Sequence, residues 1–204
     1  GQWVGFTVLG GHTLKKVPLN GGPVINLLLS ATAAGGGAWT PIDQVVFAIS
    51  NITALSIMSA DGGTPKALTK LENGDVTHRW PEALPGGKAI LYVNSNSAAA
   101  FEDAQIMAVR LDTGEKKVLA LGGTFPHYSP TGHLLYYRAG NIMAVPFNPV
   151  SLETKGSPVA VMGGVRSSGE GGAHFAVSGN GILVYLSGSL IGPAQDKLVW
   201  VDRK

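Results

Sequence analysis

The chain has 204 residues, 45% of them apolar and only 14% charged, with 29 glycines, 12 prolines and a formal net charge of +2. An average domain is roughly 25% charged, so this composition fits disorder poorly and suits short apolar strands joined by tight turns. The lack of cysteine removes disulfides and thiolate chemistry, the scattered Lys and Arg form no basic stripe for nucleic acid, and no apolar run reaches the ~18 residues of a membrane span.

Taken in chain order, the first element is "GQWVGF", from Gly1. It has neither the basic start nor the apolar core of a signal peptide. It reads as the middle of a strand, so the chain is expected to begin inside a larger protein. "LKKVPLNGG" follows from Leu14, a strand closed by an Asn-Gly turn, and then the outer strand "PVINLLL". A second unit runs "GGAWTP", "TPIDQVVF", "LSIMSADGG", "TPKALT". A third runs "HRWPEALP", "LPGGKAILY", "IMAVRLDTG", "EKKVLAL". A fourth runs "FPHYSP", "SPTGHLLYY", "IMAVPFNPV", "SPVAVM". The last unit, "AHFAVS", "VSGNGILVY", "LVWVDRK", stops before an outer strand.

The turn that opens each second strand falls at Gly1, Asp43, Gly87, Gly132 and Asn180, in steps of 42, 44, 45 and 48 residues. Proline presets φ for such a turn, and Gly, Asn or Asp accepts the left-handed position that follows. A step near ~45 residues is the length of one four-stranded propeller blade. The expected fold is therefore an all-β propeller of four-stranded antiparallel blades, about five quasi-repeats with partial first and last blades. The blades are placed near residues 1–33, 34–74, 75–122, 123–165 and 166–204 of one domain or propeller fragment.

The turn series resembles the TolB-like, WD-repeat-like propeller, with "SPTG" at Ser129 the nearest copy of its Ser-Pro-Asp-Gly turn and "LPGG", "TPID" and "VSGN" more distant ones. The order "GGAWTP…HRWPEALPGGKAILY…LDTGEKKVL…GGTFPHYSPTGHLLYY" is similar to the propeller region that follows bacterial, acidobacterial-type serine/threonine kinase domains. The kinase signatures themselves are absent, so this segment is not expected to transfer phosphate. The resemblance implies an extracytoplasmic or periplasmic location.

Candidate chemistry is sparse. Of the five histidines, His78, His127 and His174 sit in or just before the first strands of successive units, the strands that line a propeller's channel. His127 and His174 fall at nearly equivalent positions and are the candidates for a divalent metal; no other cofactor is expected. The competing reading has these imidazoles bonded to neighbouring backbone. Arg79 and Trp80 offer a cation and a ring at the channel mouth, or else inter-blade packing with Arg79 paired to a carboxylate. No Gly-x-Ser-x-Gly elbow occurs, and Glu72, Asp75, Glu102 and Asp103 lack calcium-loop spacing. The glycines from Gly35 to Gly37 precede a strand, not a helix, and read as an inter-blade link.

The leading functional expectation is a non-catalytic binding, sensory or scaffolding module for a protein, peptide or small-molecule ligand. It would use His78, Arg79, Trp80, His127 and His174 near the channel, without nucleic-acid binding or membrane insertion. One alternative is a metal-assisted hydrolase or lyase; another is assembly of a homo-oligomer through open blade edges.

Overall fold

The computed structural model describes residues 2–8, 13–29, 35–72, 74–188 and 198–201. Nineteen strands, with a single 3-10 turn at Pro85–Gly87, make up the described elements. Three antiparallel strands form the first sheet: β1 (Trp3–Val8), β2 (Thr13–Pro18) and β3 (Ile25–Leu29). The second holds β4 (Gly37–Trp39), β5 (Gln44–Ala48), β6 (Leu55–Ser59) and β7 (Lys66–Ala67). The third holds β8 (Thr77–Ala83), β9 (Ala89–Ser95), β10 (Gln105–Arg110) and β11 (Lys116–Leu121). In the fourth, β12 (Thr124–Ser129), β13 (His133–Arg138) and β14 (Asn141–Asn148) are joined by β16 (Val159–Gly163). A two-residue strand, β15 (Glu153–Thr154), extends the far end of β14. The fifth sheet holds β17 (Phe175–Val177), β18 (Leu183–Leu186) and β19 (Leu198–Val201).

Each sheet is an up-and-down meander, and the first strands of successive sheets, β4, β8, β12 and β17, lie against one another. This is the blade arrangement expected from the repeat, with three-stranded sheets at both ends among the described residues. The turn that opens each second strand is built the same way four times. The amides of Asp43, Gly87, Gly132 and Gly181 donate to the carbonyls of Thr40, Leu84, Ser129 and Ser178 at 2.9–3.2 Å. All four donors have positive φ, from 55° at Asp43 to 84° at Gly181. The left-handed residue of the last turn is thus Gly181 and not its neighbour Asn180. The Gly1 turn lies outside the described residues.

The cores lie between blades, because the inner strands of the second, third and fourth blades are covered on both faces. Strand alternation sends consecutive side chains to opposite interfaces. Val45 and Phe47 pack towards Leu14 and Leu27 of the first blade, while Val46 and Ala48 pack towards Ile90 and Tyr92 of the third. Leu91 and Val93 turn the other way, onto Leu134 and Tyr136 of the fourth. Leu135 then joins Phe175 at the last interface. Each such large apolar side chain contributes about 1.5–3 kcal/mol on burial. That explains the near-continuous Val, Ile, Leu and Tyr runs of the second and third strands: they are buried on both faces.

Two first strands carry a feature that shapes the site. In β8, Arg79 pairs with Val93 and Glu82 with Leu91, so Trp80 and Pro81 together oppose Tyr92 alone. In β12, Thr124 pairs with Tyr137 and His127 with Leu135, so Phe125 and Pro126 oppose Tyr136 alone. These are bulges, and each proline occupies one because it has no ladder donor to lose. Trp80 and Phe125 adopt left-handed φ values of 51° and 53°, and Gly36, at the equivalent place before β4, has 78°. Such a conformation costs a bulky residue about 1–2 kcal/mol, which the packing around the two rings must offset.

Candidate functional site

Strand direction alternates within a blade, so the loops between second and third strands and the links between blades emerge at one end. Arg79 is the centre of this link face. Its side chain is fully buried, and its donors are distributed over three parts of the chain. Nε donates to Thr77 Oγ1 at 2.9 Å. One terminal nitrogen donates to the carboxylate of Glu170 at 2.9 Å and to the Glu170 carbonyl at 3.2 Å. The other donates to the carbonyls of Asn51 at 2.7 Å and Ala98 at 3.0 Å. Burial pushes the guanidinium down from its ordinary value, and Glu170 acts against that shift. Phe101 lies 5.4 Å from the guanidinium carbon. Loops of the second and third blades and the link into the fifth are thereby held by one side chain.

The bulge turns Trp80 inwards from the same strand. Its indole nitrogen donates to the Glu170 carbonyl at 3.1 Å. A Cβ on Gly36 would lie 2.7 Å from the indole and one on Gly172 2.9 Å, so these glycines admit the ring. Trp80 meets Phe125 edge-on at 5.1 Å, and Phe125 meets Phe175 at 5.4 Å. His127 contacts Phe125 at 4.8 Å and Phe175 at 5.0 Å. Its Nδ1 is in close contact with a Glu82 carboxylate oxygen, and its Nε2 is buried with no hydrogen-bond partner. The other Glu82 oxygen accepts the Tyr128 amide at 2.5 Å, so Glu82 fastens the third blade to the fourth.

His78 does not join this group. It is buried at the interface of the second and third blades, with Nδ1 at 2.7 Å from Thr69 Oγ1 and its ring edge-on to Tyr92 at 4.9 Å. Thr69 Oγ1 also accepts the Leu55 amide, and His78 Nε2 lies 3.7 Å from Asp75 Oδ2. Burial lowers the His78 pKa from 6.5, with Asp75 opposing. His174 is exposed just before β17. The register aligns Ala176, opposite Val184, with His127, opposite Leu135, so His174 is two places off the His127 position. Among the described residues no group of three or more His, Asp or Glu side chains is disposed to hold a metal. In the link before β8, Glu72 accepts from Lys116 at 2.6 Å and Asp75 accepts from Asn94 at 2.9 Å, whereas Glu102 and Asp103 belong to the loop after β9. His12 lies outside the described residues.

A feature the sequence did not single out lies beside the Arg79 hub. A cleft of about 650 Å³ opens on the link face between the third, fourth and fifth blades. Phe101 and Glu102 form one wall, Tyr137 and Arg138 another, and Ser167 and Ser168 a third, with Gly122 and Gly171 among the small residues between them. The Ser168 wall is tied into a small loop: Ser168 N–H donates to the Gly172 carbonyl at 2.8 Å and its Oγ accepts the Gly172 amide at 3.1 Å. Thr124 Oγ1 donates to the Gly171 carbonyl at 2.7 Å, anchoring that loop to the fourth blade. Arg138 and Tyr137 carried a signal in the sequence, since they end a second strand before an Ala-Gly turn, but their neighbours come from distant repeats.

No family model matches the chain, and no curated relative matches it. Among solved structures, the putative TolB from Agrobacterium tumefaciens is similar with a TM-score of 0.69 at 20% identity, over 93% of this chain and 67% of that one. TolB from Acinetobacter baumannii is similar with a TM-score of 0.66 at 20% identity, over 93% of this chain and 46% of that one. A gluconolactonase from Xanthomonas campestris is similar with a TM-score of 0.69 at 16% identity, over 91% of this chain and 66% of that one. The chain spans about half the length of the Acinetobacter protein. At these identities the likeness establishes the fold, which is a β-propeller of the kind seen in TolB.

Proposed function

We propose that this protein is a non-catalytic binding or scaffolding module, part of a larger kinase-associated or TolB-like protein, that receives a peptide, protein segment or small molecule in the link-face cleft. The observation that carries this reading is the cleft itself: an open, partly aromatic hollow whose walls are fastened from behind by Arg79 and Thr124. Preformed concave sites of this size, with a few polar groups on a rigid frame, are where ligands bind. The kinase-associated context and the extracytoplasmic location rest on the resemblance of the turn series. A kinase domain and one membrane helix in the flanking coding sequence would agree with both.

The test is thermal shift of metal-stripped protein with a panel of peptides, metabolites and peptidoglycan fragments. Gly169 lines the cleft and a Cβ on it meets nothing within 4 Å, so Gly169→Phe adds a ring at the cleft with no clash at its Cβ. A ligand that stabilises the wild type and not Gly169→Phe supports the reading. A panel in which no ligand is sensitive to that substitution overturns it.

A second reading is favoured by one observation. The Glu82 carboxylate against His127 Nδ1 is an arrangement that orients an imidazole, and the buried, unpartnered Nε2 is the nitrogen that a substrate would have to reach. Similar structures include a gluconolactonase and an oligogalacturonate lyase. In that reading the protein is a hydrolase or lyase. Turnover of a sugar lactone or uronate polymer that disappears in His127→Ala and persists in Gly169→Phe would establish it over the binding module.

A further inference from the structure

We infer that the link-face cleft selects small zwitterions of amino-acid type, of about dipeptide size, with an apolar side chain; this rests on the cleft being the binding site. The charges on its walls point to that class. Arg138, exposed at the end of β13, lines the cleft together with Glu102, exposed in the loop before β10. Among the described residues neither side chain has a hydrogen-bond or ion-pair partner, and they do not pair with each other. Gly122 separates the Glu102 main chain from the Arg138 side chain: its Cβ position would be 3.1 Å from the Glu102 carbonyl oxygen and 3.7 Å from Arg138 Cδ. Every other charged group at this end of the blades that the hub uses, Arg79 and Glu170, is already committed.

A cleft with one uncommitted cation and one uncommitted anion suits a ligand that carries both charges. A purely anionic ligand would satisfy Arg138 and meet repulsion from Glu102. A neutral sugar would leave both without an ionic partner. An α-carboxylate matches the guanidinium fork in two parallel hydrogen bonds, and an α-ammonium matches the Glu102 carboxylate. Phe101 and Tyr137 then offer aromatic faces to a side chain. The volume of about 650 Å³ is generous for a single amino acid and falls within the range of small-molecule sites.

The experiment is calorimetric titration of the full chain with Ala-Phe, with N-acetyl-Ala-Phe and with Ala-Phe amide. On the wild type each cap is expected to weaken binding by about tenfold, the effect of losing one charge-assisted contact. In Arg138→Gln the penalty of the amide cap disappears and that of the acetyl cap remains. In Glu102→Gln the pattern reverses. Equal affinity for capped and free forms on the wild type overturns the inference, as do unchanged penalties in the two variants or no binding of Ala-Phe. A different ligand whose stabilising effect is lost in Gly169→Phe, found alongside failure of Ala-Phe, removes this inference and leaves the binding-module reading in place. Absence of any ligand sensitive to Gly169→Phe removes both.

Discussion

Arg79 and Arg138 lie at the same end of the blades and are used in opposite ways. Arg79 is fully buried and donates to Thr77, Asn51, Ala98 and Glu170. Arg138 is exposed and has no hydrogen-bond or ion-pair partner among the described residues. A buried guanidinium must be saturated, because each unmet donor carries a desolvation penalty. An exposed one keeps its water and can exchange it for a ligand. The residue type is the same, so position relative to the ring decides whether it organises the loops or offers itself to solvent.

The comparison can be tested most severely at Arg79. Arg79→Met removes donors from the Asn51 and Ala98 carbonyls and from Thr77, and should lower the unfolding free energy by about 3 kcal/mol. Glu170 is half-exposed and can rehydrate, so Glu170→Gln should cost far less, about 1 kcal/mol after solvent screening. Urea titration of both variants checks the ordering; equal losses would mean that the ion pair, and not the set of carbonyls, carries the hub. Gly172→Ala comes next. It places a methyl 2.9 Å from the Trp80 ring, and overpacking of this kind costs about 1–3 kcal/mol. A melting point equal to the wild type would show that the indole is not wedged.

A smaller effect is expected from pH. Burial holds the His78 imidazole below its ordinary value of 6.5. Below that pH the unfolded chain takes up a proton that the folded chain resists, so unfolding is favoured as pH falls. The stabilisation from neutral His78 is complete above pH 6.5 and is lost as pH drops through the window down to the folded value. Urea midpoints measured from neutral pH downwards should decline, and His78→Gln should flatten that decline; an identical slope in the variant would exclude His78 as its source. Arg138→Ala should change stability least, by no more than about 0.5 kcal/mol, as for other exposed side chains without partners. A larger loss would contradict the contrast with Arg79.

The histidines show where sequence reading stops. Counted back from Gly132 and Asn180, His127 and His174 stand at nearly equivalent places, but that count depends on which turn residue is the left-handed one. The stretch from His127 to its turn is in fact regular, but the left-handed residue of the last turn is Gly181 rather than Asn180, and the register aligns Ala176 with His127. His78 lies in the expected first strand, yet it precedes the bulge at Trp80 and Pro81 and faces Thr69 at an inter-blade interface. The alternative offered for Arg79, packing with a carboxylate partner, matches what is observed, but the partner, Glu170, is 91 residues away and nothing local announces it.

The sequence by itself determined the strands, their order and the turns between them. Those follow from local chemistry: proline presetting φ at the start of a turn, glycine accepting the left-handed position that follows, and apolar runs buried on both faces. It also determined the meander within each unit, because neighbouring segments joined by short turns have only one another to pair with. Tertiary structure alone decided the site. The packing of blade on blade brings the loop after β9, the turn after β13 and the link before β17 around one cleft, and sets Arg79 against Glu170. Such contacts depend on the rotation from each blade to the next, which no single repeat encodes.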